Sequence, residues 1–483
     1  MKPWQMVIGL EIHAELLTQT KAFCGCANRY GAQPNTLVCP MCMGLPGAMP
    51  TLNENAVRLA VMAGFALHCE VHPRSRFDRK NYFYPDLPKA YQITQFYEPL
   101  CENGYLDIEE GSQSKRIGIT RIHMEEDAGK LRHEVEDTLL DLNRCGVPLI
   151  EIVTEPDIRS PKEASAFLHE LRAVLTFAEI SRGRMNEGSL RCDVNLSVHL
   201  PNEPFGERCE IKNLNSFQSV ERAIQAEFER QCALREQNLP IRRQTMRFDE
   251  KSGKTYPMRD KESTDDYRYF PEPDLPPLVL SRSRLHEIRQ SLPRLPESYR
   301  ALLRDQYGFT NAMITSLCRE KWLAEYTLQT AALCRNPILF ANLMIGEGFR
   351  LMSLHDTRNI GEYTAADWPI AAHRMAALCD LLNDGLINGS SAKELLGKLY
   401  EEDFDPVPYA DRNGYIMINS PEEIAQIVKT ILSENPVLVQ TWLNGKRNVE
   451  RALLGKCMAK CGGRLNMQVT ETEMQNQLQQ LES

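Results

Sequence analysis

The sequence predicts an α+β protein in which strands and helices are segregated along the chain. Short runs rich in β-branched residues, bounded by turn residues, occur before about residue 280. Amphipathic helical patterns dominate after about residue 285. Strands and helices do not alternate strictly in the first part, which disfavours a doubly wound sheet.

Strands are predicted from four runs: VIGLEI (7–12), RIGITRIH (116–123), PLIEIVTE (148–155) and RCDVNLSVHL (191–200). Helices are predicted at 160–177, where Ser160 and Pro161 form a cap followed by proline, and at 219–237. The proline-dense segment PEPDLPPLVL (271–280) predicts an extended connector.

The helical part shows three amphipathic patterns: SRLHEIRQSL (283–292), PIAAHRMAALCDLL (369–382) and VERALLGKCMAK (449–460). Ser391 and Glu394 fit a capping box that opens a helix. The pattern breaks at 403–414. A chain of 483 residues has room for about two to four domains, and we expect them at 1–293, 294–411 and 412–483.

Composition favours a cytoplasmic protein. Charged residues make up 25% of the chain, as in ordinary globular proteins, and no segment approaches the ~20 apolar residues that a membrane-spanning helix needs. A strand-like pattern begins almost at the N-terminus and leaves no room for a signal peptide. Most of the 15 cysteines are therefore expected to be reduced thiols.

The net charge of −9 mildly disfavours a general nucleic-acid binder, but two segments are locally basic. Residues 281–304 carry six arginines. Residues 445–464 carry Lys446, Arg447, Arg451, Lys456, Lys460 and Arg464. Both segments are explained either as patches that bind a polyanion or as solvated helix faces.

Four cysteines near the N-terminus have the spacing of a metal site. Cys24 and Cys26 form one pair, Cys39 and Cys42 form a second, and a 12-residue loop separates the pairs. Two close pairs of thiolates can supply the four ligands of a structural, tetrahedral zinc ion. The alternative is four reduced cysteines with accidental spacing.

Acidic residues recur in the strand-like runs. Six residues form a candidate set: Glu11, His13, Glu125, Glu126, Asp193 and Glu210. Strand alternation places Glu11 and His13 on one face. Carboxylates with an imidazole suit magnesium, which would in turn hold nucleotide phosphates. Each acid taken singly is equally explained as a surface residue or a cap, so only their convergence would form a site.

Cations and amides beside aromatic residues form a second set, which could clamp phosphates or carboxylates. These residues are Lys80, Lys89, Lys212, Asn213, Asn215 and Arg268. The alternative is that they are ordinary loop residues. A P-loop is excluded at Gly253, because the first glycine of that motif would fall on Phe248.

Seven blocks resemble the B subunit of glutamyl/aspartyl-tRNA amidotransferases, in the order of that family over roughly residues 5–280. They are GLEIHAEL, FDRKNYFYPDLPKAYQITQ, IGITRIHMEEDAGK, GVPLIEIVTEPDIRSPKEA, EGSLRCDVNLS, EIKNLNSFQSVERAI and DDYRYFPEPDLPPL. The segment from residue 434 is similar to the YqeY-like tail of the family. The stretch at 318–372 departs most from the family pattern.

The resemblance implies a cradle-shaped catalytic domain related to glutamine synthetase, then an all-α domain and a small YqeY-like tail that binds tRNA. It implies a heterotrimer with an amidase subunit, which hydrolyses glutamine, and with a small third subunit. Members of the family with four such cysteines carry zinc. By motif, the magnesium and ATP site of the family falls on the six residues of the acidic set. Lys80, Arg191 and Lys212 become candidate clamps, and Lys89 a candidate lining of the route for ammonia.

The chemistry implied by this resemblance begins with a carboxylate, which is a poor acyl donor. ATP would phosphorylate the side chain of Glu-tRNA(Gln), Asp-tRNA(Asn) or both, and ammonia would then attack the acyl phosphate. Two other functions stay open. A tRNA-binding scaffold would not need the acidic set, and an amidoligase for a small acid would not need the basic tail.

Overall fold

The computed structural model describes residues 3–110, 113–134, 136–260, 264–355 and 363–482. The chain divides into two compact units, Met1–Pro296 and Glu297–Ser483. Among the described residues, every strand of two or more residues lies in the first unit, which confirms the predicted α+β class with segregated elements. A further division of the helical part at residue 411 stays a prediction.

The strands of the first unit are β1 (Gln5–Glu15), β2 (Glu70–Val71), β3 (Arg74–Ser75), β4 (Asp78–Asn81), β5 (Tyr91–Thr94), β6 (Cys101–Glu110), β7 (Gln113–Glu126), β8 (Lys130–His133), β9 (Thr138–Asp141), β10 (Pro148–Thr154), β11 (Leu190–His199), β12 (Cys209–Leu214), β13 (Gln244–Asp249), β14 (Lys254–Asp260), β15 (Phe270–Pro271) and β16 (Leu278–Val279). Its helices are α1 (Glu54–Ala66), α2 (Pro161–Phe177), α3 (Phe217–Glu236) and α4 (Arg282–Gln290). All four predicted strands and both predicted helices are present.

A nine-stranded sheet with the order β14-β13-β12-β11-β1-β10-β7-β6-β2 organises this unit. Its neighbouring strands are antiparallel, apart from the parallel pair β12–β13. Strand β1 lies at the centre, and from Ile8 onward it alternates: Ile8, Leu10, Ile12 and Ala14 are buried, and the residues between them are partly exposed. These residues share one hydrophobic core with α1, α2 and α3, so the helices cover one face of the sheet. We call the opposite face, which carries Glu11 and His13, the polar face.

Local sequence signals explain the element ends. The Ser160 side chain accepts a hydrogen bond from the Glu163 amide, and Pro161 opens α2, as predicted. Gly253 lies at φ +66° in the turn between β13 and β14. This strand–turn–strand context agrees with the exclusion of a P-loop, which requires a strand followed by a helix.

The second unit is helical: α5 (Pro296–Asp305), α6 (Asn311–Leu317), α7 (Lys321–Leu333), α8 (Pro337–Leu343), α9 (Phe349–His355), α10 (Ala372–Asn383), α11 (Gly389–Glu401), α12 (Pro406–Arg412), α13 (Pro421–Glu434), α14 (Pro436–Leu443), α15 (Glu450–Lys460) and α16 (Met467–Glu482). A π-helical turn, Met344–Gly348, joins α8 to α9. Helices α13 to α16 share a core that includes Val428, Trp442 and Met474. In the parts of the chain with described structure, no helix combines the length and the apolar character needed to cross a membrane.

The predicted capping box at Ser391 is wrong. Helix α11 begins earlier, at Gly389, and its cap is Asn388, whose side-chain oxygen accepts a hydrogen bond from the Ser391 amide at 2.8 Å. Asn388 also donates to the Gly463 carbonyl at 2.8 Å. This tertiary contact, which the local sequence does not encode, favours Asn388 as the cap.

Candidate metal and catalytic centre

The register of the central sheet aligns polar residues from several strands on the polar face. Asp193 of β11 lies opposite Glu11 of β1, and Glu151 of β10 lies opposite His13. His123 of β7 lies opposite Glu151. Because residues that pair across neighbouring strands point to the same face, these side chains converge although they are far apart in sequence.

The first ligand group consists of His13, Glu125 and Glu151, which can place one ligand atom each within 4.8 Å of the others. His13 Nε2 lies 3.3 Å from Glu125 Oε1 and 3.7 Å from Glu151 Oε2. Burial by itself lowers the pKa of His13, but Glu125 and Glu151 outweigh burial and raise this pKa to about 9. His123 Nε2 lies 3.1 Å from Glu151 and orients this carboxylate.

The second ligand group consists of Glu11, Asp193 and Glu210, again within 4.8 Å. Asn195 donates to Glu11 Oε1 at 2.8 Å, and Thr245 donates to Glu210 Oε2 at 3.1 Å. The Lys212 ammonium contacts Asp193 and lies 3.3 Å from Glu210, so it offsets part of the negative charge. Lys212 thus lies at the second ligand group, and its role as a clamp stays a prediction.

Glu126 does not join either ligand group. Consecutive residues of a strand point to opposite faces, so Glu126 points away from Glu125. Its carboxylate forms an ion pair with Lys89 and accepts a hydrogen bond from the Ile93 amide at 2.9 Å. Both charged side chains are almost buried, at 8% exposure for Lys89 and 4% for Glu126. The structure therefore separates Glu126 from the other five residues of the acidic set.

Aromatic residues and Lys80 flank the first ligand group. The Lys80 ammonium lies 4.7 Å from the centroid of the Tyr267 ring. Burial raises the pKa of Glu151, but His123, His13 and Lys80 outweigh burial and hold this pKa well below its ordinary value. Burial, reinforced by the charge of Glu125, raises the pKa of Tyr82. Lys80 is therefore close enough to stabilise the negative charge of Glu151 in the first ligand group.

The remaining predicted clamps differ in their placement. Arg191 lies opposite His13 on β11 and donates to Asp127 Oδ2 at 2.7 Å. Asn213 and Asn215 are exposed at the end of β12. Arg268 is exposed, and its carbonyl accepts a hydrogen bond from Asn81 at 2.8 Å. In the described residues, Asn213, Asn215 and Arg268 form no hydrogen bond or ion pair with either ligand group.

The four cysteines meet in a segment that we call the tetracysteine loop, residues 21–47. Their sulfur atoms lie within 4.8 Å of one another. Cys24 Sγ is 3.6 Å and Cys39 Sγ is 3.8 Å from Cys42 Sγ. Zinc–sulfur bonds of about 2.3 Å in a tetrahedron give sulfur–sulfur edges of about 3.8 Å, so these residues fit zinc.

A buried lysine supports an anionic cluster. Lys21 is fully buried, and its Nζ lies 2.8 Å from the Leu37 carbonyl and 3.2 Å from Cys42 Sγ. It forms no ion pair with a carboxylate of the described residues. The Cys24 thiol and Lys21 lower the pKa of Cys42 to about 4. A buried cation needs an anion nearby, and the Cys42 sulfur is the group placed to supply that charge.

The six predicted tRNA-binding cations of residues 445–464 differ in whether they have a partner within the chain. Arg447 pairs with Glu482, Lys460 lies 2.8 Å from Glu434, and Arg464 donates to the Gly414 carbonyl. Lys446, Arg451 and Lys456 are exposed and have no ion pair with the part of the chain that the structure describes.

The sequence-based prediction missed Glu151 and Lys21. Glu151 alternates with buried residues in PLIEIVTE, and this alternation was the available signal. Lys21 is recognisable only from its tertiary contacts.

The chain matches the family model of the GatB/GatE catalytic domain over residues 6–286 and that of the GatB domain over residues 328–478. It is similar to the B subunit of the aspartyl/glutamyl-tRNA(Asn/Gln) amidotransferase from Carboxydothermus hydrogenoformans (strain ATCC BAA-161), at 43% identity over 100% of both chains. Proteins of the same name from Thermoanaerobacter sp. (strain X514) and Clostridium botulinum (strain Eklund 17B) are also 43% identical. The alignment with the Thermoanaerobacter protein covers 98% of this chain and 99% of the relative. The alignment with the Clostridium protein covers 96% of each chain.

Proposed function

Because the chain belongs to the GatB/GatE family of tRNA amidotransferase B subunits, we propose that its polar face activates the side-chain carboxylate of Glu-tRNA(Gln), Asp-tRNA(Asn) or both with ATP. Ammonia then attacks the acyl phosphate and forms Gln-tRNA(Gln) or Asn-tRNA(Asn). The observation that carries this proposal is the pair of carboxylate-rich ligand groups side by side on one sheet face.

The two ligand groups adjoin because Glu11 and His13 belong to one strand. At about 3.3 Å per residue, their Cα atoms lie roughly 6.6 Å apart. This spacing lets one polyphosphate chain contact both groups. Magnesium, which the carboxylates of the two ligand groups would hold, would supply positive charge that offsets the charge developing during phosphoryl transfer. Asn195, Thr245 and His123 hold the carboxylates in orientation.

Cations of the chain act on the substrate phosphates and carboxylate. Lys212 lies at the second ligand group and Lys80 beside the first, so each can meet a transferred phosphoryl group. Arg191 is held in place by Asp127 and can approach the aminoacyl carboxylate. Asn213, Asn215 and Arg268 are exposed and would contact the substrate away from the reacting atoms.

The Lys89–Glu126 pair has a separate role. Both side chains are almost buried, Glu126 lies on the strand that also carries Glu125, and the pair contains both a proton donor and an anion. Ammonia is a nucleophile only when it is unprotonated. We assign to this pair the lining of the route by which ammonia reaches the acyl phosphate.

The wider assembly follows the family. The protein works as a cytoplasmic heterotrimer with an amidase subunit that hydrolyses glutamine and with a small third subunit. Its first unit is a cradle related to glutamine synthetase, and the tail 412–483 binds tRNA(Gln) or tRNA(Asn). The three exposed cations Lys446, Arg451 and Lys456 are the phosphate contacts of this tail.

The tetracysteine loop binds structural zinc, supported by its sulfur spacing and by Lys21. Elemental analysis of freshly purified, unchelated protein should give about one zinc per chain, as expected for a four-thiolate site. Less than about a tenth of that amount contradicts the assignment.

The test of the function is amidation of each mischarged tRNA by the protein reconstituted with the amidase and the small third subunit. We expect conversion of Glu-tRNA(Gln), Asp-tRNA(Asn) or both that requires ATP, magnesium and glutamine. Conversion that proceeds equally well without ATP excludes carboxylate activation. ATP hydrolysis with a free small acid in place of tRNA would favour an amidoligase.

A further inference from the structure

We infer that Gly44 is a positioning residue, through which the tetracysteine loop fixes Lys89 in its ion pair with Glu126. This inference rests on the role proposed above for that pair.

The first observation is the closeness of Gly44 to the backbone of Lys89. Gly44 adopts φ +63°, and a Cβ built on it would lie 2.9 Å from Lys89 N and 3.0 Å from Lys89 Cα. These atoms belong to the main chain, which cannot rotate away as a side-chain tip can. The turn that follows Cys42 therefore packs directly on the segment that carries the Lys89 ammonium.

The tetracysteine loop also approaches Glu126, the ion-pair partner of Lys89. Lys21 binds Cys42 through its ammonium, and its stem packs on Gly146. The Cβ position of Gly146 lies 3.7 Å from Lys21 Cδ and 3.8 Å from Glu126 Oε2. Ala22 also donates to the Gly146 carbonyl at 2.8 Å. The loop thus touches the strand connection beside Glu126 as well as the backbone of Lys89.

The Lys89–Glu126 ion pair tolerates little displacement of Lys89. The Glu126 carboxylate is fixed by the Ile93 amide, so it cannot follow a displaced Lys89 without losing that hydrogen bond. The Lys89 ammonium also lies 6.0 Å from the Phe23 ring and 5.2 Å from the Tyr91 ring. Phe23 immediately precedes Cys24 and is buried. Folding of the loop around its thiolates therefore sets one wall of the Lys89 site.

The test compares Gly44→Ala with Gly47→Ala in the reconstituted holoenzyme. Gly47 adopts φ +85° in the same loop, and its Cβ position meets no heavy atom within 4 Å. Both substitutions carry the backbone cost of a positive φ, but only Gly44→Ala presses on Lys89. We expect Gly44→Ala to lower the rate of amidation about tenfold and Gly47→Ala to change it less than about twofold, with equal zinc content in both.

A double-mutant cycle with Lys89→Met separates positioning from general damage. If Gly44 acts through Lys89, Gly44→Ala should lower amidation less than about twofold in the Lys89→Met background. An equal loss in both backgrounds overturns the inference, because it shows that Gly44 affects the reaction without Lys89.

Hydrogen exchange gives a readout independent of the reaction. Amides of residues 86–93 should exchange faster in Gly44→Ala than in Gly47→Ala, while amides of α2 stay unchanged as an internal control. The same region should respond when zinc is removed from the wild-type protein by a chelator, which covers the case that Gly44→Ala does not fold. Unchanged exchange at 86–93 overturns the inference. Faster exchange in a protein whose amidation does not need ATP upholds the positioning and refutes the proposed function.

Discussion

Glu125 and Glu126 show how one step along a strand changes the task of a residue. Glu125 faces His13 and Glu151 on the polar face, whereas Glu126 faces Lys89 on the other side. Identical side chains at consecutive positions therefore serve different steps of the proposed reaction. Substitutions that remove one charge and keep the shape can separate these steps.

We expect Glu125→Gln to lower ATP-dependent activation at least about 100-fold, on the order of 2.7 kcal/mol, because it removes a ligand charge from the first group.

Glu126→Gln should affect amide formation more than activation. It should also lower the free energy of unfolding by roughly 3 kcal/mol, since Lys89 loses its buried anion. Rapid-quench measurement of the acyl phosphate and of the amide shows which of the two steps each variant slows. A loss of activation in Glu126→Gln as large as that in Glu125→Gln would contradict the separation.

Lys21 is the second residue with a testable role. Lys21→Met keeps most of the buried stem but removes the ammonium that faces Cys42. A lost outer-shell partner typically weakens metal binding, and we expect the apparent zinc affinity to fall about tenfold in competition with a chromogenic chelator. The exposed Lys251 provides the matched control, and Lys251→Met should leave the affinity unchanged. Equal affinity in both variants would show that Lys21 does not support the thiolates.

At the scale of elements, helix ends follow local chemistry only where tertiary contacts agree with it. Ser160 caps α2 as its sequence predicts, with its side chain 3.0 Å from the Glu163 amide. Helix α11 takes Asn388 instead of the predicted Ser391, because Asn388 bonds both to the helix and to the Gly463 carbonyl.

Asn388→Ala should therefore destabilise the helical part by about 1 kcal/mol, the typical value of a side-chain cap. Ser390 is exposed and is the second residue of α11. Ser390→Ala should therefore leave the stability of the helical part unchanged or raise it slightly. Urea unfolding followed by circular dichroism measures both changes. Equal stabilities of the two variants would refute Asn388 as the cap.

The charge pattern along the chain separates the proposed chemistry from tRNA binding. The protein carries a net charge of −9, so its affinity for a polyanion must come from local patches. In the tail, Arg447, Lys460 and Arg464 are engaged within the chain, whereas Lys446, Arg451 and Lys456 are exposed.

Deletion of residues 412–483 should weaken tRNA binding and flatten its salt dependence. Three phosphate contacts at about 0.7–0.9 each predict that the slope of log K against log salt becomes less negative by roughly 2 to 3. Filter binding across a salt series measures the slope, after circular dichroism has confirmed that the truncated protein folds. ATP-dependent activation should persist at saturating tRNA. Equal affinities and slopes for the two proteins would show that the tail is a packing domain.

Features that depend on near neighbours in the chain were predictable from local sequence patterns. Alternation along β1 placed Glu11 and His13 on one face, and the spacing of two cysteine pairs indicated a four-thiolate site. The helical second half also followed from local periodicity. Such features need only the repeat of a strand or a helix, or the closure of a short loop.

The grouping of the acidic residues depends instead on long-range strand pairing. Antiparallel pairing of β1 with β10 and β11 brings Glu151 and Asp193 beside residues about 140 to 180 positions earlier in the chain, and no local pattern fixes that register. The same pairing adds Glu151 to the site and directs Glu126 towards Lys89. The buried contact of Lys21 with Cys42 likewise exists only once the loop is folded, because each charge is tolerated in the interior only beside the other.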